Sequence, residues 1–275
     1  MPYFMTEDAV HIYYKTNGNK QGTPVVALHG WNSCHSMYDN LFSGLEDYYC
    51  IAPDFRGVNK SSLPKGGFSM ECLARDTQAL LDHLGLDKVL MIGYSMGASV
   101  LYKYVDLFGT GRLLKAIICD MPPKLLNDAE WREGLGQGEN NPMDDLGAID
   151  DMLTDFPAWH TKYVLERTPE IKAFPQSTQD SLLRGMRALN TDYVTVAFYA
   201  SYLIQDYRPM LHKFDIPTGI FFGDPGSIYQ PKTAHYIASQ MSGPTKVVLF
   251  ENATHLFGIE YPEKFIQETQ TFFDE

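Results

Sequence analysis

Gly93-Tyr94-Ser95-Met96-Gly97 places a serine between two glycines, each two positions away. A serine hydroxyl is a weak nucleophile. It needs a base to take its proton and donors to hold the oxyanion it creates. G-x-S-x-G is informative where it ends a strand and opens a helix. The apolar run Val89 to Ile92 precedes this motif, and a helical pattern, Ala98 to Phe108, follows it. Such a turn strains the backbone at the serine, requires small neighbours and lifts the hydroxyl to the tip of a sheet. It also aims a helix N-terminus at negative charge forming there. The competing reading is a glycine-flanked serine in an ordinary turn, and the strand and helix on either side favour Ser95 as nucleophile. His29-Gly30-Trp31 follows a second apolar run, Val25 to Leu28. In this arrangement the backbone N–H groups of Trp31 and Met96 form an oxyanion hole. Removing one such donor typically costs about 2.7–4 kcal/mol. His29 itself reads as a residue that holds the loop.

These groups need a frame. Short β-branched runs recur at Tyr49–Ala52, Ala116–Cys119, Gly219–Phe222 and Val247–Phe250. Continuous apolar runs of this kind suit strands covered on both faces. Amphipathic stretches lie between them. One runs from the N-cap Ser69 to Leu84 and stops at Gly85; another covers Glu263 to Phe273. The alternation predicts a mostly parallel sheet with helices on both faces. Val10 to Tyr14 alternates like an exposed strand and ends at Asn17-Gly18, a hairpin signal. From Met121 to Arg208 the strand rhythm stops. Pro122-Pro123 opens a region of helical stretches (148–156, 159–166, 178–189 and 193–203). The predicted organisation is a core of residues 1–120 and 209–275 with a helical cap inserted at 121–208.

Composition sets further bounds. The 275 residues carry a net charge of −12. That argues against a nucleic-acid partner, which needs clustered Lys and Arg. No apolar stretch approaches a membrane span, and the first residues lack a signal-peptide pattern. A cytoplasmic, soluble protein is expected. Cys50 and Cys119 sit in strand runs and read as buried thiols. With no CxxC pair, no zinc site is expected. Asp144-Asp145 and Asp150-Asp151 read as solvated or helix-start charges.

Together these motifs resemble the α/β-hydrolase superfamily over essentially the whole chain. The stretch Phe108-Gly109-Thr110-Gly111-Arg112-Leu113-Leu114-Lys115-Ala116 resembles its cofactor-free haloperoxidase and esterase branch. The resemblance implies an eight-stranded α/β-hydrolase sheet. It implies a structural turn with a buried ion pair at Pro53-Asp54-Phe55-Arg56-Gly57, and this chain departs from relatives there by carrying Asn59 where a glycine is usual. It also implies His255 as general base, the only histidine between the final strand and the final helix. The usual slot for the triad acid falls on Gly226, which is a second departure. Two acids remain. Asp224 lies in Asp224-Pro225-Gly226, which is good turn chemistry in its own right. Asp120 ends the strand next to the nucleophile strand, where some members of the superfamily carry their acid. Asp120 is preferred, with Asp224 as runner-up.

A serine nucleophile excludes the aspartyl-ester route to halide or epoxide displacement. Acyl transfer without metal or organic cofactor remains. A carboxylesterase acting on small apolar or aromatic esters is the leading reading. Lactone or carbon–carbon bond hydrolysis and a non-catalytic, ligand-binding member of the fold stand behind it, with perhydrolysis as a side activity. The partner is a small molecule, and a homo-oligomer is compatible with the sequence. Trp131, Phe156, Trp159, His160 and Tyr199 are the pocket candidates in the cap.

Overall fold

The computed structural model of the chain describes residues 2–167, 172, 174–226 and 228–275. Eight strands form one sheet: β1 (Tyr3–Met5), β2 (His11–Gly18), β3 (Pro24–Leu28), β4 (Tyr49–Pro53), β5 (Val89–Tyr94), β6 (Leu113–Cys119), β7 (Thr218–Pro225) and β8 (Thr245–Ala253). Their spatial order is β1-β2-β4-β3-β5-β6-β7-β8. The first two pairings, β1 with β2 and β2 with β4, are antiparallel, and the rest are parallel. The Asn17-Gly18 signal therefore does not make a hairpin between β2 and β3. Gly18 turns the chain at φ 75°, but β2 pairs with β4, because β3 is already flanked by β4 and β5.

Side chains alternate across each central strand, so one run of apolar residues feeds two cores. Val26, Leu28, Met91, Ala116, Ile118 and Ile220 face one core. Val25, Ala27, Leu90, Ile92, Ile117 and Phe221 face the other. Helices α2 (Met70–Leu84) and α3 (Met96–Phe108) cover the first face. Helix α1 (Asp39–Gly44) and the last helix of the chain (Pro262–Asp274) cover the second, through Leu41, Phe42, Phe265, Phe272 and Phe273. Their ends follow the sequence. Ser69 Oγ accepts the Cys72 N–H at 3.2 Å, and Gly85 stops α2 at φ 64°.

Between β6 and β7 the chain forms α4 (Pro142–Arg167), α5 (Gln176–Arg187) and α6 (Asp192–Leu203). The two stretches read at 148–156 and 159–166 are one helical segment, bent at Asp155 (φ −151°) just before Pro157. This layer is tied to the core. Trp31 Nε1 donates to Thr195 O on α6 at 2.7 Å, and Asn59 N–H donates to Leu189 O. No helix of the described residues is long and apolar enough to cross a membrane.

The turn after β4 carries the ion pair expected there, but its partner is not the neighbouring Asp54. Arg56 pairs with Asp76 on α2 (2.5 Å) and with Asp8 (2.8 Å). Asp54 instead accepts from the backbone and ring of His35 (both 2.8 Å) and from Asn59 Nδ2 (3.0 Å). Asn59 has φ 48°, a left-handed conformation that asparagine tolerates.

Candidate active site

Ser95 joins β5 to α3 at φ 52° and ψ −121°. A conformation this sparsely populated for serine costs on the order of 1–3 kcal/mol and needs its surroundings to enforce it. The two glycines of the motif allow the enforcing contacts. A Cβ on Gly97 would stand 2.0 Å from Leu28 O, and one on Gly93 would stand 2.6 Å from Ala98 Cα. Ser95 occupies the N-cap position of α3, but its hydroxyl caps no backbone N–H. It faces His255 instead, with Oγ 3.0 Å from Nε2.

His255 follows β8. Its loop is pinned by Glu260, which accepts from Thr254 N–H (2.8 Å) and Thr254 Oγ1 (2.6 Å). Tyr94, the residue before the serine, donates its hydroxyl to His255 O at 2.7 Å. On the far side of the ring, His255 Nδ1 lies 2.6 Å from Asp120 Oδ2. Asp120 follows β6 at φ 44° and is 1% exposed. Burial raises its pKa above the usual carboxylate range; the bond and charge of His255 and the Gly223 N–H act the other way. Asp224 lies in the β7–β8 ladder opposite Glu251. The structure thus brings Ser95, His255 and Asp120 into one hydrogen-bonded chain, and the carboxylate on His255 Nδ1 belongs to Asp120.

Gly30 brings the loop after β3 against the serine, since a Cβ there would lie 3.5 Å from Ser95 Cβ. Met96 opens α3, so its N–H is one of the first in the helix and has no intrahelical acceptor. His29 is buried under this loop. It accepts the Phe55 N–H at Nε2 (3.1 Å) and donates from Nδ1 to Gly30 O (2.8 Å). Burial lowers its pKa to about 4, which keeps it neutral.

Ser95 and His255 line a cavity of about 200 Å³. Trp31, Tyr163, Tyr199 and Tyr229 form aromatic walls, and Asn32, Asp145 and His160 add polar ones. The Trp31 and Tyr199 rings meet at 5.6 Å between centroids. Of the five pocket candidates, His160 and Tyr199 line this cavity. The other three lie elsewhere. Trp131 is buried against Tyr236 and donates to Lys124 O. Phe156 packs behind Trp159 and His160. Trp159 stacks on Tyr163 from behind, at 4.8 Å, and borders a separate, acidic hollow. Sequence reasoning could not separate wall from packing among these aromatics, because each is apolar and helical. It also passed over Tyr94 and Asn32, which carry no motif signal of their own.

Among the described residues, one group could offer three metal-ligating atoms: Cys34, His35 and Asp54, all buried and within 4.8 Å of one another. Both Asp54 oxygens already accept hydrogen bonds, from His35, Asn59 and the Lys60 N–H. That pattern describes a hydrogen-bonded knot supporting the loop after β3.

Residues 23–262 match the family described as alpha/beta hydrolase fold. Over 258 residues the chain is 27% identical to the non-heme chloroperoxidase CPO-A1 of Kitasatospora aureofaciens, covering 93% of this chain and 92% of that one. It is 25% identical over 220 residues to a 1H-3-hydroxy-4-oxoquinoline 2,4-dioxygenase of Pseudomonas putida, covering 73% and 81%. An esterase from Exiguobacterium antarcticum superposes with a TM-score of 0.86 at 23% identity, over 99% of each chain.

Proposed function

The chain belongs to the alpha/beta hydrolase fold family, and from that premise we propose that it is a serine hydrolase working through an acyl-enzyme, with small apolar or aromatic carboxylic esters as substrates. One observation carries the reading: the unbroken chain from Ser95 Oγ through His255 to buried Asp120, at 3.0 and 2.6 Å. Asp120 accepts a hydrogen bond from Nδ1–H and so fixes the tautomer whose Nε2 is basic. His255 then takes the Ser95 proton as Oγ attacks the ester carbonyl. The oxyanion forms against the N–H groups of Trp31 and Met96, beside the N-terminus of α3. His255 returns the proton to the departing alcohol, and water repeats the cycle on the acyl-enzyme. Helices α4 to α6 act as the cap, since Tyr163 and Tyr199 wall the cavity from that side. The size of the cavity favours a single ring or a short acyl chain; a cavity of about 150 Å³ already holds benzene. Its aromatic walls favour an apolar or aromatic group.

The test is labelling with a fluorophosphonate probe, followed by a screen of short p-nitrophenyl esters. Wild type is expected to label and to turn over esters, whereas Ser95→Ala does neither. Folded wild type that neither labels nor hydrolyses overturns the reading. The chloroperoxidase relative makes perhydrolysis the side activity to assay first.

A second reading draws on the aromatic walls and on the dioxygenase relative. In it, His255 with Asp120 takes the proton of an acidic hydroxyl on a bound aromatic ring, and the resulting anion reacts with dioxygen. Oxygen uptake with a hydroxylated heteroaromatic that survives Ser95→Ala would select this reading over hydrolysis.

A further inference from the structure

His160 comes from α4 and is only 1% exposed, yet it lines the same cavity as Ser95. Its Nε2 is 2.8 Å from Asn32 Nδ2, on the loop after β3. Among the described residues, the other polar atom of each side chain, His160 Nδ1 and Asn32 Oδ1, is buried with no hydrogen-bond partner. Buried polar atoms are almost always paired, so two adjacent orphans on side chains that line one cavity point to a partner supplied from it.

The pair has a definite bonding capacity. With Asn32 Nδ2 donating to Nε2, the ring proton sits on Nδ1; the pair then offers one donor, Nδ1–H, and one acceptor, Oδ1. With the amide turned over, Nδ1 becomes the acceptor and Nδ2 the donor. Either way one donor and one acceptor remain. Burial, with Arg187 adding to it, lowers the His160 pKa to about 4, so the ring carries no charge near neutrality. Among the described residues, neither Lys nor Arg lines the cavity, and Asp145 does. A carboxylate ligand meets no cation among them.

We propose that Asn32 and His160 together recognise a neutral group that both donates and accepts a hydrogen bond, a hydroxyl or an amide, on a single-ring aromatic ligand of the Ser95 cavity. The inference rests on reading Ser95 and His255 as the reacting centre of that cavity. Asn32 and His160 are then specificity residues. They bridge the loop after β3 and the helical layer, and they select the ring substituent and not the ester.

The test measures binding to Ser95→Ala by tryptophan fluorescence or calorimetry, so that its outcome does not depend on turnover. The probes are methyl benzoate, its ortho, meta and para hydroxy isomers and its para carboxamide and carboxylate. At least one hydroxy isomer or the carboxamide is expected to bind about tenfold tighter than methyl benzoate, the gain that a good buried hydrogen bond supplies. The carboxylate is expected to show no gain. In Ser95→Ala/His160→Phe and in Ser95→Ala/Asn32→Ala the same ratio falls to near one; His160→Gln, which keeps a donor and an acceptor, retains part of it. Equal affinities for all the probes, as when water satisfies the pair, overturn the proposal. So does a ratio that survives both variants. Failure of the hydrolase reading is seen separately, as absent labelling of wild type.

Discussion

Asp120→Asn is the substitution that bears most directly on the site. It keeps the size of a side chain that is almost fully buried, so packing changes little. The orientation of the new amide is set by its two neighbours. The Gly223 N–H is on one side of the Asp120 carboxylate and favours its charged form, although Oδ1 has no hydrogen-bond partner among the described residues, and His255 Nδ1 lies 2.6 Å from Oδ2 on the other side. An amide with its oxygen toward His255 would turn its NH2 group against the Gly223 N–H. The favoured orientation puts oxygen on Gly223 and NH2 on His255 Nδ1. Nδ1 must then accept, the ring proton moves to Nε2, and Nε2 points that proton at Ser95 Oγ, 3.0 Å away. A ring in this tautomer cannot take the serine proton. Substitutions that trap the wrong tautomer lower kcat by about 10⁴, which corresponds to about 5.4 kcal/mol of transition-state stabilisation. The assay is kcat/KM on a p-nitrophenyl ester, with urea unfolding as a check on the fold and Asp224→Asn as the comparison. Asp224→Asn is expected to stay within about threefold of wild type, because half-buried Asp224 sits in the ladder opposite Glu251 while Nδ1 of the base is held by Asp120. Asp120→Asn within tenfold of wild type, together with loss of activity in Asp224→Asn, would refute the reasoning.

Other outcomes follow from packing and charge. Gly97→Ala places a methyl 2.0 Å from Leu28 O, where backbone cannot yield cheaply; a loss of about 3 kcal/mol or more is expected, read as a drop in the urea midpoint or as insoluble protein. Arg56→Ala leaves Asp76 buried without its cation, which typically costs about 3–5 kcal/mol; thermal unfolding measures it, and a change under 1 kcal/mol would contradict it. His29 and His160 both have folded pKa values lowered to about 4 by burial, against about 6.5 in the unfolded chain. Their contribution is therefore complete above the unfolded value and is lost as pH falls from about 6.5 toward 4, roughly 1–2 kcal/mol for each at pH 5. Urea midpoints at pH 7 and pH 5 test this: the midpoint drops at the lower pH, and His160→Phe, which binds no proton, reduces the drop. Asp120, with its raised pKa, acts in the opposite sense.

The sequence by itself determined whatever depends on local spacing. Continuous apolar runs suited strands covered on both faces, as the central strands are, and the glycines around Ser95 suited a tight strand-to-helix turn. Ser69 and Gly85 marked the ends of α2 because capping is satisfied within a few residues. Tertiary structure decided what depends on which elements meet. Asn17-Gly18 looks like a hairpin from within, but strand order gives β2 to β4. Arg56 sits two residues from Asp54, yet it pairs with Asp76 and Asp8, because a strand end and a helix converge there. Two acids competed in the sequence for His255; only the placement of β6 beside β5 puts Asp120 Oδ2 within 2.6 Å of its ring. The aromatic residues between β6 and β7 are alike in pattern, and only the packing of α4 and α6 separates Tyr199 and His160, which wall the cavity, from Phe156 and Trp159, which support it. The Asn32–His160 pair spans 128 positions of chain. No local spacing encodes such a contact, since it exists only once the sheet has brought its loops and the helical layer together.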